Sequence, residues 1–131
     1  MILADTSAWV EFDRATGSAV DLKLRDMIRD GAPLVVTEPV LMEVLAGATD
    51  DASQGQLRRM LTSFGWVNVD PIADFEGAAT LYRKCRQHGV TPRGLVDCMI
   101  ASIALRTGAE LLVEDQHFTR MAEIVPLRIL T

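Results

Sequence analysis

The sequence predicts an α/β domain built on a mainly parallel sheet. Short apolar runs alternate with amphipathic segments along the chain, which is the pattern of strands joined by helical crossovers. The length of 131 residues is that of one domain, and we assign residues 1–131 to it. Hydrophobic residues make up 49% and charged residues 24%, a composition that supports one hydrophobic core and excludes a disordered chain.

Five apolar runs are the predicted strands. Each is short and is bounded by residues that favour turns or helix ends, such as Gly65 and the pair Asp70 and Pro71. The predicted strands cover residues 2–4, 33–36, 66–69, 111–113 and 127–130.

Helical spacing of apolar residues, together with signals at the segment ends, predicts the helices. A glycine follows four of the periodic segments, a common C-terminal signal. Thr37 is a candidate N-cap, and Pro39 lies in the first turn of the same helix, where proline is favoured. The predicted helices cover residues 18–30, 37–46, 53–63, 73–87, 95–106 and 118–124, with a partly exposed helical segment around residues 9–12.

The net charge of −5 argues against binding nucleic acid through basic residues alone. It does not exclude a nuclease, because clustered carboxylates that bind Mg²⁺ present the metal to a phosphate. Eleven of the thirteen basic residues are Arg, which suits bidentate phosphate contacts, although a codon bias explains the same count.

The sequence favours a reducing cytoplasm and no membrane association. No apolar run approaches the ~18–20 residues that span a bilayer. The apolar start of the chain lacks a basic region and a cleavage site, so we interpret it as a buried strand. Cys85 and Cys98 have no metal-like spacing, and we expect both in the core or at its boundary.

Three acids stand alone in apolar segments. Asp5 is the only charged residue among the first ten, Glu43 the only one in residues 39–49, and Asp97 the only one in residues 95–105. Buried Asp and Glu are almost always paired or metal-bound, so isolation of this kind needs a reason. Each acid also has an ordinary interpretation: a turn residue, a solvated edge residue and a helix-dipole partner, respectively. All three ordinary interpretations would have to hold together.

A fourth acid is harder to choose. Glu110, Glu114 and Asp115 all flank the strand at 111–113, and composition alone does not decide between them. Asp5 and Asp115 both fall at the carboxyl ends of predicted strands, where open α/β sheets bind ligands. Converging carboxylates raise each other's pKa and require a cation, for which Mg²⁺ or Mn²⁺ is suited.

Four segments together resemble a known family. They are ADTSAW at 4–9, EVLAG at 43–47, RGLVDCMIASIA at 93–104 and LLVEDQHF at 111–118. In this order and spacing the chain resembles the PIN-domain nucleases, specifically the VapC toxins of bacterial toxin–antitoxin pairs. The resemblance implies a three-layer α/β/α sandwich and a metal-dependent endoribonuclease. It also implies a small VapB-like antitoxin partner and a homodimer, with DNA reached only through the antitoxin.

The resemblance also implies roles for individual residues. The positions that match the acidic quartet are Asp5, Glu43, Asp97 and Asp115. Three of them would hold Mg²⁺, for which Mn²⁺ would substitute, while Glu43 is a further ligand or positions the attacking water. The neighbouring Thr6 and Ser7 match hydroxyl positions that steady a carboxylate or a water. Arg93 is a candidate phosphate contact, with a solvated Arg as the alternative.

Two positions depart from the family pattern. His117 stands where relatives often carry a second acid, and Val113 stands where a hydroxyl residue is common. His117 is therefore assigned a supporting role, either as a hydrogen-bond partner of phosphate or water or as an exposed residue. Both departures bear on a second metal ion more than on the first.

A surface for the antitoxin is expected beside the acids. It would comprise the apolar residues that follow Asp5 and those on the helix of Glu43, namely Trp9, Val10, Phe12, Leu41 and Leu45. An amphipathic segment docking there would place a basic side chain near the carboxylates.

Two rival functions use the same kind of fold. A phosphoacceptor domain of the receiver type would want a Lys after a late strand, but Lys23 and Lys84 both lie in predicted helices. A non-catalytic module that binds nucleic acid or protein stays open, because fold does not determine function.

Overall fold

A single parallel sheet forms the centre of the molecule. The computed structural model describes residues 1–114 and 116–130. Within them the strands are β1 (Ile2–Ala4), β2 (Leu34–Val36), β3 (Gly65–Trp66), β4 (Glu110–Leu112) and β5 (Arg128–Ile129). The strand order is β3-β2-β1-β4-β5, and each neighbouring pair is parallel. The predicted α/β class with a parallel sheet is confirmed.

Helices connect the strands throughout. In the described part of the chain they are α1 (Thr6–Arg14), α2 (Ala19–Arg29), α3 (Glu38–Ala46), α4 (Asp51–Thr62), α5 (Pro71–Gln87), α6 (Leu95–Thr107) and α7 (Gln116–Ala122). Side chains of Ser18, Asp50 and Asp70 accept hydrogen bonds from the first turns of α2, α4 and α5. Thr37 occupies the N-cap of α3 but makes no capping hydrogen bond through its side chain.

The direction of winding separates the helices into two layers. The chain runs outward from β1 through β2 to β3, then returns across β1 to β4 and β5. Since crossovers between parallel strands are right-handed, α1 to α4 cover one face of the sheet and α5 to α7 cover the other. Neighbouring contacts of α1 with α2 and α3, and of α5 with α6, agree with this division.

Several element ends differ from the prediction. The third strand was expected at residues 66–69 but ends at Trp66, because the Val69 N–H donates to the carboxylate of Glu38 at 2.6 Å and not to a strand. The fourth strand ends before Val113, and the fifth spans only two residues. Helix α4 begins two residues earlier than expected, since Asp50 supplies the cap.

The core lies between the sheet and its two helical layers. Its largest fully buried side chains include Trp9, Phe118 and Ile100. Cys85 and Cys98 are free and buried, as the sequence predicted. None of the helices in the described ranges is long and apolar enough to cross a membrane.

Candidate active site

The candidate site begins where the sheet changes direction. Strand β1 lies between β2 and β4, which the chain reaches by winding in opposite directions. A crevice opens at such a point beyond the carboxyl ends of the strands. Asp5 follows β1 directly, and its N–H donates to the Leu112 carbonyl of β4 at 3.0 Å. The backbone therefore places the first predicted acid at the crevice.

The Asp5 carboxylate is buried and held by two donors. It is 3% exposed, and its Oδ1 accepts hydrogen bonds from Ser7 Oγ at 2.6 Å and from the Ala8 N–H at 3.2 Å. It is thus the N-cap of α1 as well as a crevice acid. Burial, with a smaller contribution from the nearby charge of Asp97, raises the pKa of Asp5 to about 6, although the hydrogen bonds from Ser7 and Ala8 act in the opposite direction.

Ser7 links two parts of the site. Its hydroxyl donates to Asp5 and accepts a hydrogen bond from the Glu114 N–H at 3.0 Å. One side chain therefore joins the start of α1 to the loop that follows β4. Asp115, the fourth predicted acid, follows Glu114 in the sequence and lies outside the described residues.

Glu43 is oriented from across the crevice. The hydroxyl of Thr6 donates to Glu43 Oε1 at 2.6 Å, a contact between α1 and α3. Both side chains are half-buried. Thr6 therefore contacts the second predicted acid, and its supporting role stays a prediction.

Three of the predicted acids, Asp5, Glu43 and Asp97, line one cleft of about 450 Å³. Asp97 enters it from the first turn of α6, and the buried residues Ile100, Ala101 and Ala104 continue its helix face into the core. Of the predicted site residues, those that line the cleft are Asp5, Thr6, Ser7, Val10, Glu43, Arg93 and Asp97. His117 is half-buried on α7, and its supporting role stays a prediction.

The prediction that Trp9 belongs to the antitoxin surface is wrong. Trp9 is completely buried, because α1 turns it into the core, where its ring packs against Phe12 and Phe64 at centroid distances of 5.8 and 5.2 Å. Removing so large a core side chain would destabilise the fold, at a typical cost of ~3–5 kcal/mol. Leu41 and Leu45 are half-buried on α3 and stay predictions, as do Val10 and Phe12.

Two buried acids were missed by sequence reasoning. Asp74 is fully buried, and the guanidinium of Arg106 contacts both of its oxygens at 2.9–3.1 Å, which ties α5 to α6. Asp21 is also buried and pairs with Arg25 at 2.8 Å. Both lie in segments with other charges, so isolation in an apolar run gave no signal. Their ion pairs indicate structural roles.

An apolar groove adjoins the acid cleft and was also missed. It measures about 640 Å³ and shares Leu95 and Val96 with the cleft. Met42, Phe75 and Leu95 line it with exposed fractions of 56%, 63% and 61%. Large apolar side chains exposed together commonly mark a surface that another molecule covers.

The donor chemistry of the cleft fits a hard divalent cation. Among the described residues, no three Asp, Glu, His or Cys side chains converge closely enough to form a complete metal cage. Mg²⁺ does not require one, because it keeps several waters and is commonly held by one or two carboxylates. Asp5 and Asp97 supply such a pair, and a bound cation would offset the burial and the repulsion by Asp97 that raise the pKa of Asp5.

Comparison with known proteins identifies the family. The model of the PIN domain matches residues 2–124. Ribonuclease VapC11 of Mycobacterium tuberculosis is 42% identical over 129 residues, which cover 98% of this chain and 96% of that protein. The chain belongs to the PIN domain family. The resemblance inferred from its four sequence segments is therefore confirmed.

Solved structures of PIN proteins share the fold of this chain. VapBC2 from Rickettsia felis, bound to a DNA fragment from its promoter, matches with a TM-score of 0.76 at 19% identity and covers 99% of this chain and 98% of that one. VapC20 of M. tuberculosis, described as a toxin that cleaves the sarcin–ricin loop, matches with a TM-score of 0.68 at 19% identity. It covers 98% of this chain and 99% of that chain. At these identities the likeness concerns the fold.

Proposed function

We propose that this PIN-domain protein is a metal-dependent endoribonuclease and the toxin of a toxin–antitoxin pair. The observation that carries the proposal is the cleft lined by Asp5, Glu43 and Asp97 at the switch point of a parallel sheet. The 42% identity to a ribonuclease over nearly the whole chain supports the same activity.

Asp5 and Asp97 would hold Mg²⁺, with Asp115, which follows Glu114 in the sequence, as a third ligand. When bound, the metal would lower the pKa of a coordinated water and offset negative charge on the scissile phosphate. Mn²⁺, with similar ligand preferences, would substitute. The roles of the remaining residues follow from their contacts within the cleft.

Glu43 would orient the attacking water, because the hydrogen bond from Thr6 to its Oε1 restrains the carboxylate. Ser7 would hold the start of the loop after β4 beside Asp5 through its two hydrogen bonds. Arg93 is exposed at the cleft rim, where a guanidinium suits a phosphate of the bound strand. A cleft of about 450 Å³ would admit an unpaired RNA segment more readily than a duplex.

The apolar groove would be covered by a second copy of the chain. Met42, Phe75 and Leu95 form a contiguous apolar surface. Its burial against another molecule would be favourable, because it removes apolar area from water. A two-fold dimer uses the same surface on both copies. Because Leu95 lines both the groove and the cleft, such a dimer would bring two acid clefts close together.

A small antitoxin would bind beside the cleft. The structures of similar fold include VapBC toxin–antitoxin complexes, which supports a partner of this type. Val10 lies in the cleft itself, and half-buried Leu41 and Leu45 lie on the helix of Glu43. DNA would be reached only through that partner. Free, buried Cys85 and Cys98 fit the reducing cytoplasm.

Cleavage of RNA by matched variants tests the function. Asp97→Asn keeps the shape of the side chain and removes its charge, whereas Asp13→Asn makes the same change at an exposed position of α1. We expect purified Asp97→Asn to lose at least about 100-fold in cleavage rate, and Asp13→Asn to match the wild type. Wild-type cleavage rates in a folded Asp97→Asn protein would overturn the proposal.

A further inference from the structure

Positive charge is concentrated in one stretch of this acidic protein. Residues 77–96 contain four of the thirteen Lys and Arg residues and none of the eighteen Asp and Glu residues. Three of the four, Arg83, Lys84 and Arg86, lie in the last turns of α5 and are exposed, as is His88 at its C-cap. We call Arg83, Lys84, Arg86 and His88 the basic end of α5.

Packing of α5 against α6 places the basic end beside the acid cleft. Asp74 near the start of α5 contacts Arg106 near the end of α6, so the two helices run antiparallel. The end of α5 must therefore lie next to the start of α6, where Asp97 enters the cleft. The short connection between the helices carries Arg93 at the cleft rim. Arg93 thus lies between the basic end and Asp97 in the sequence and lines the cleft with the acids.

Helix stability alone does not account for this pattern. Cations in the last turn of a helix interact favourably with its dipole, which accounts for Lys84 and Arg86. It does not explain Arg83, which precedes the last turn, or Arg93, which lies in the following loop. It also does not explain the absence of acids from residues 77–96 in a chain with eighteen of them.

The geometry of the basic end suits a single nucleic-acid strand. Arg83 and Arg86 are three residues apart and share one face of α5. The guanidinium carbon of Arg86 lies 5.7 Å from the ring centroid of Tyr82, one turn earlier. An unpaired base stacks on an aromatic ring of this kind, while the guanidinium groups beside the ring bind phosphates. His88 Nδ1 lies 2.8 Å from the Lys84 carbonyl oxygen and closes the helix.

We infer that the basic end of α5 is a docking surface for single-stranded RNA that extends from the scissile position in the cleft. The inference rests on the proposed nuclease function and adds where the flanking nucleotides bind. Arg83 and Arg86 contact consecutive phosphates, and the strand passes Arg93 before it reaches the carboxylates. The acid cleft alone repels a polyanion, so binding energy for the substrate comes from this neighbouring surface.

A matched pair of double variants tests the inference. Arg83→Gln/Arg86→Gln removes two charges from the basic end. Arg58→Gln/Arg59→Gln removes two charges from exposed positions of α4, which packs on α3 in the other helical layer. Both variants have the same net charge, so a difference between them reports position and not overall charge.

Binding is measured by fluorescence anisotropy with a labelled single-stranded RNA of about 16 nucleotides, over about 50 to 200 mM salt. All proteins carry Asp97→Asn so that the RNA stays intact. We expect Arg83→Gln/Arg86→Gln to bind roughly tenfold more weakly. The slope of the logarithm of the binding constant against the logarithm of salt concentration (the salt slope) should fall in magnitude by about 1.4, the value for two lost phosphate contacts. The α4 variant should bind like its parent.

Equal binding by the two double variants would overturn the inference, as would a loss of affinity with an unchanged salt slope. The result is independent of the nuclease assay, because it uses a variant that is not required to cleave. Metal-dependent cleavage by the wild type together with equal binding by the two double variants would refute the docking surface but not the nuclease function. Absence of cleavage together with a position-specific loss of binding would refute the nuclease function but not the docking surface.

Discussion

Asp5→Asn is expected to stabilise the metal-free protein while it removes activity. The wild-type carboxylate is 3% exposed, and its pKa is raised from 3.8 to about 6. This rise corresponds to about 3 kcal/mol of unfavourable free energy for the ionised form at neutral pH. The amide oxygen of Asn accepts the same hydrogen bonds from Ser7 and the Ala8 N–H, so the cap of α1 is kept. The substitution therefore removes a cost without removing the contacts.

The size of the effect depends on pH in a defined direction. Between pH 3.8 and about 6 the native protein binds a proton at Asp5 that the unfolded chain has released. The contribution of Asp5 to the free energy of unfolding therefore falls as pH rises through this window. Asp5→Asn lacks this contribution, so its advantage over the wild type is largest above about pH 6 and disappears near pH 4.

Thermal unfolding in EDTA measures this difference. For a domain of this size about 1 kcal/mol changes the Tm by roughly 4 °C. We expect Asp5→Asn to melt about 4–12 °C above the wild type at neutral pH and close to it near pH 4. Asp13→Asn, on the exposed side of the same helix, is the control and should change neither value. A lower Tm for Asp5→Asn at neutral pH, or a gap that is the same at both pH values, would refute the reasoning.

Two further predictions address the neighbouring contacts. Thr6→Val removes the hydroxyl that orients Glu43 and should lower kcat by up to about 100-fold, whereas Thr6→Ser should retain most of it; equal kcat values for the two variants would contradict the role of this hydrogen bond. Phe75→Glu should convert a dimer to a monomer in light scattering, while Leu22→Glu, at a residue 54% exposed on α2, should leave the dimer intact. A dimeric Phe75→Glu protein would show that the groove is not the interface.

The order of helices and strands was predictable because its signals are local. Apolar periodicity and Ser18 indicate where α2 begins, whereas α5 begins at Pro71 and not at the predicted residue 73, because Asp70 caps it. The predicted strand ends were less accurate, because a strand ends where its pairing with the neighbouring strand ends. The Val67 N–H still reaches the Val36 carbonyl at 2.9 Å, but beyond it the backbone turns to Glu38. No local pattern encodes that contact.

The site was partly predictable for a similar reason. An acid alone in an apolar run indicates either a binding site or an error in the predicted burial, and Asp5, Glu43 and Asp97 do line one cleft. The same criterion cannot find Asp21 or Asp74, which are buried but paired with Arg. Which face of an amphipathic helix is buried depends on its neighbours.

Helix α1 illustrates this dependence. It packs against α2 and α3, and this packing buries Trp9 while Val10, the next residue, lies in the cleft. Adjacent residues on a helix point about 100° apart, so one turn can serve the core and the site together. The sequence of α1 alone did not indicate which of the two residues faces inward.

Calorimetric titration with Mn²⁺ tests most directly whether the acid cleft holds a catalytic cation. The wild type and Asp13→Asn should bind the ion with the same affinity, because Asp13 lies outside the cleft. Asp97→Asn should bind at least roughly tenfold more weakly, since it removes one carboxylate of the pair. Unchanged Mn²⁺ affinity in folded Asp97→Asn, or no binding by the wild type, would contradict the assignment of Asp5 and Asp97 as the metal site.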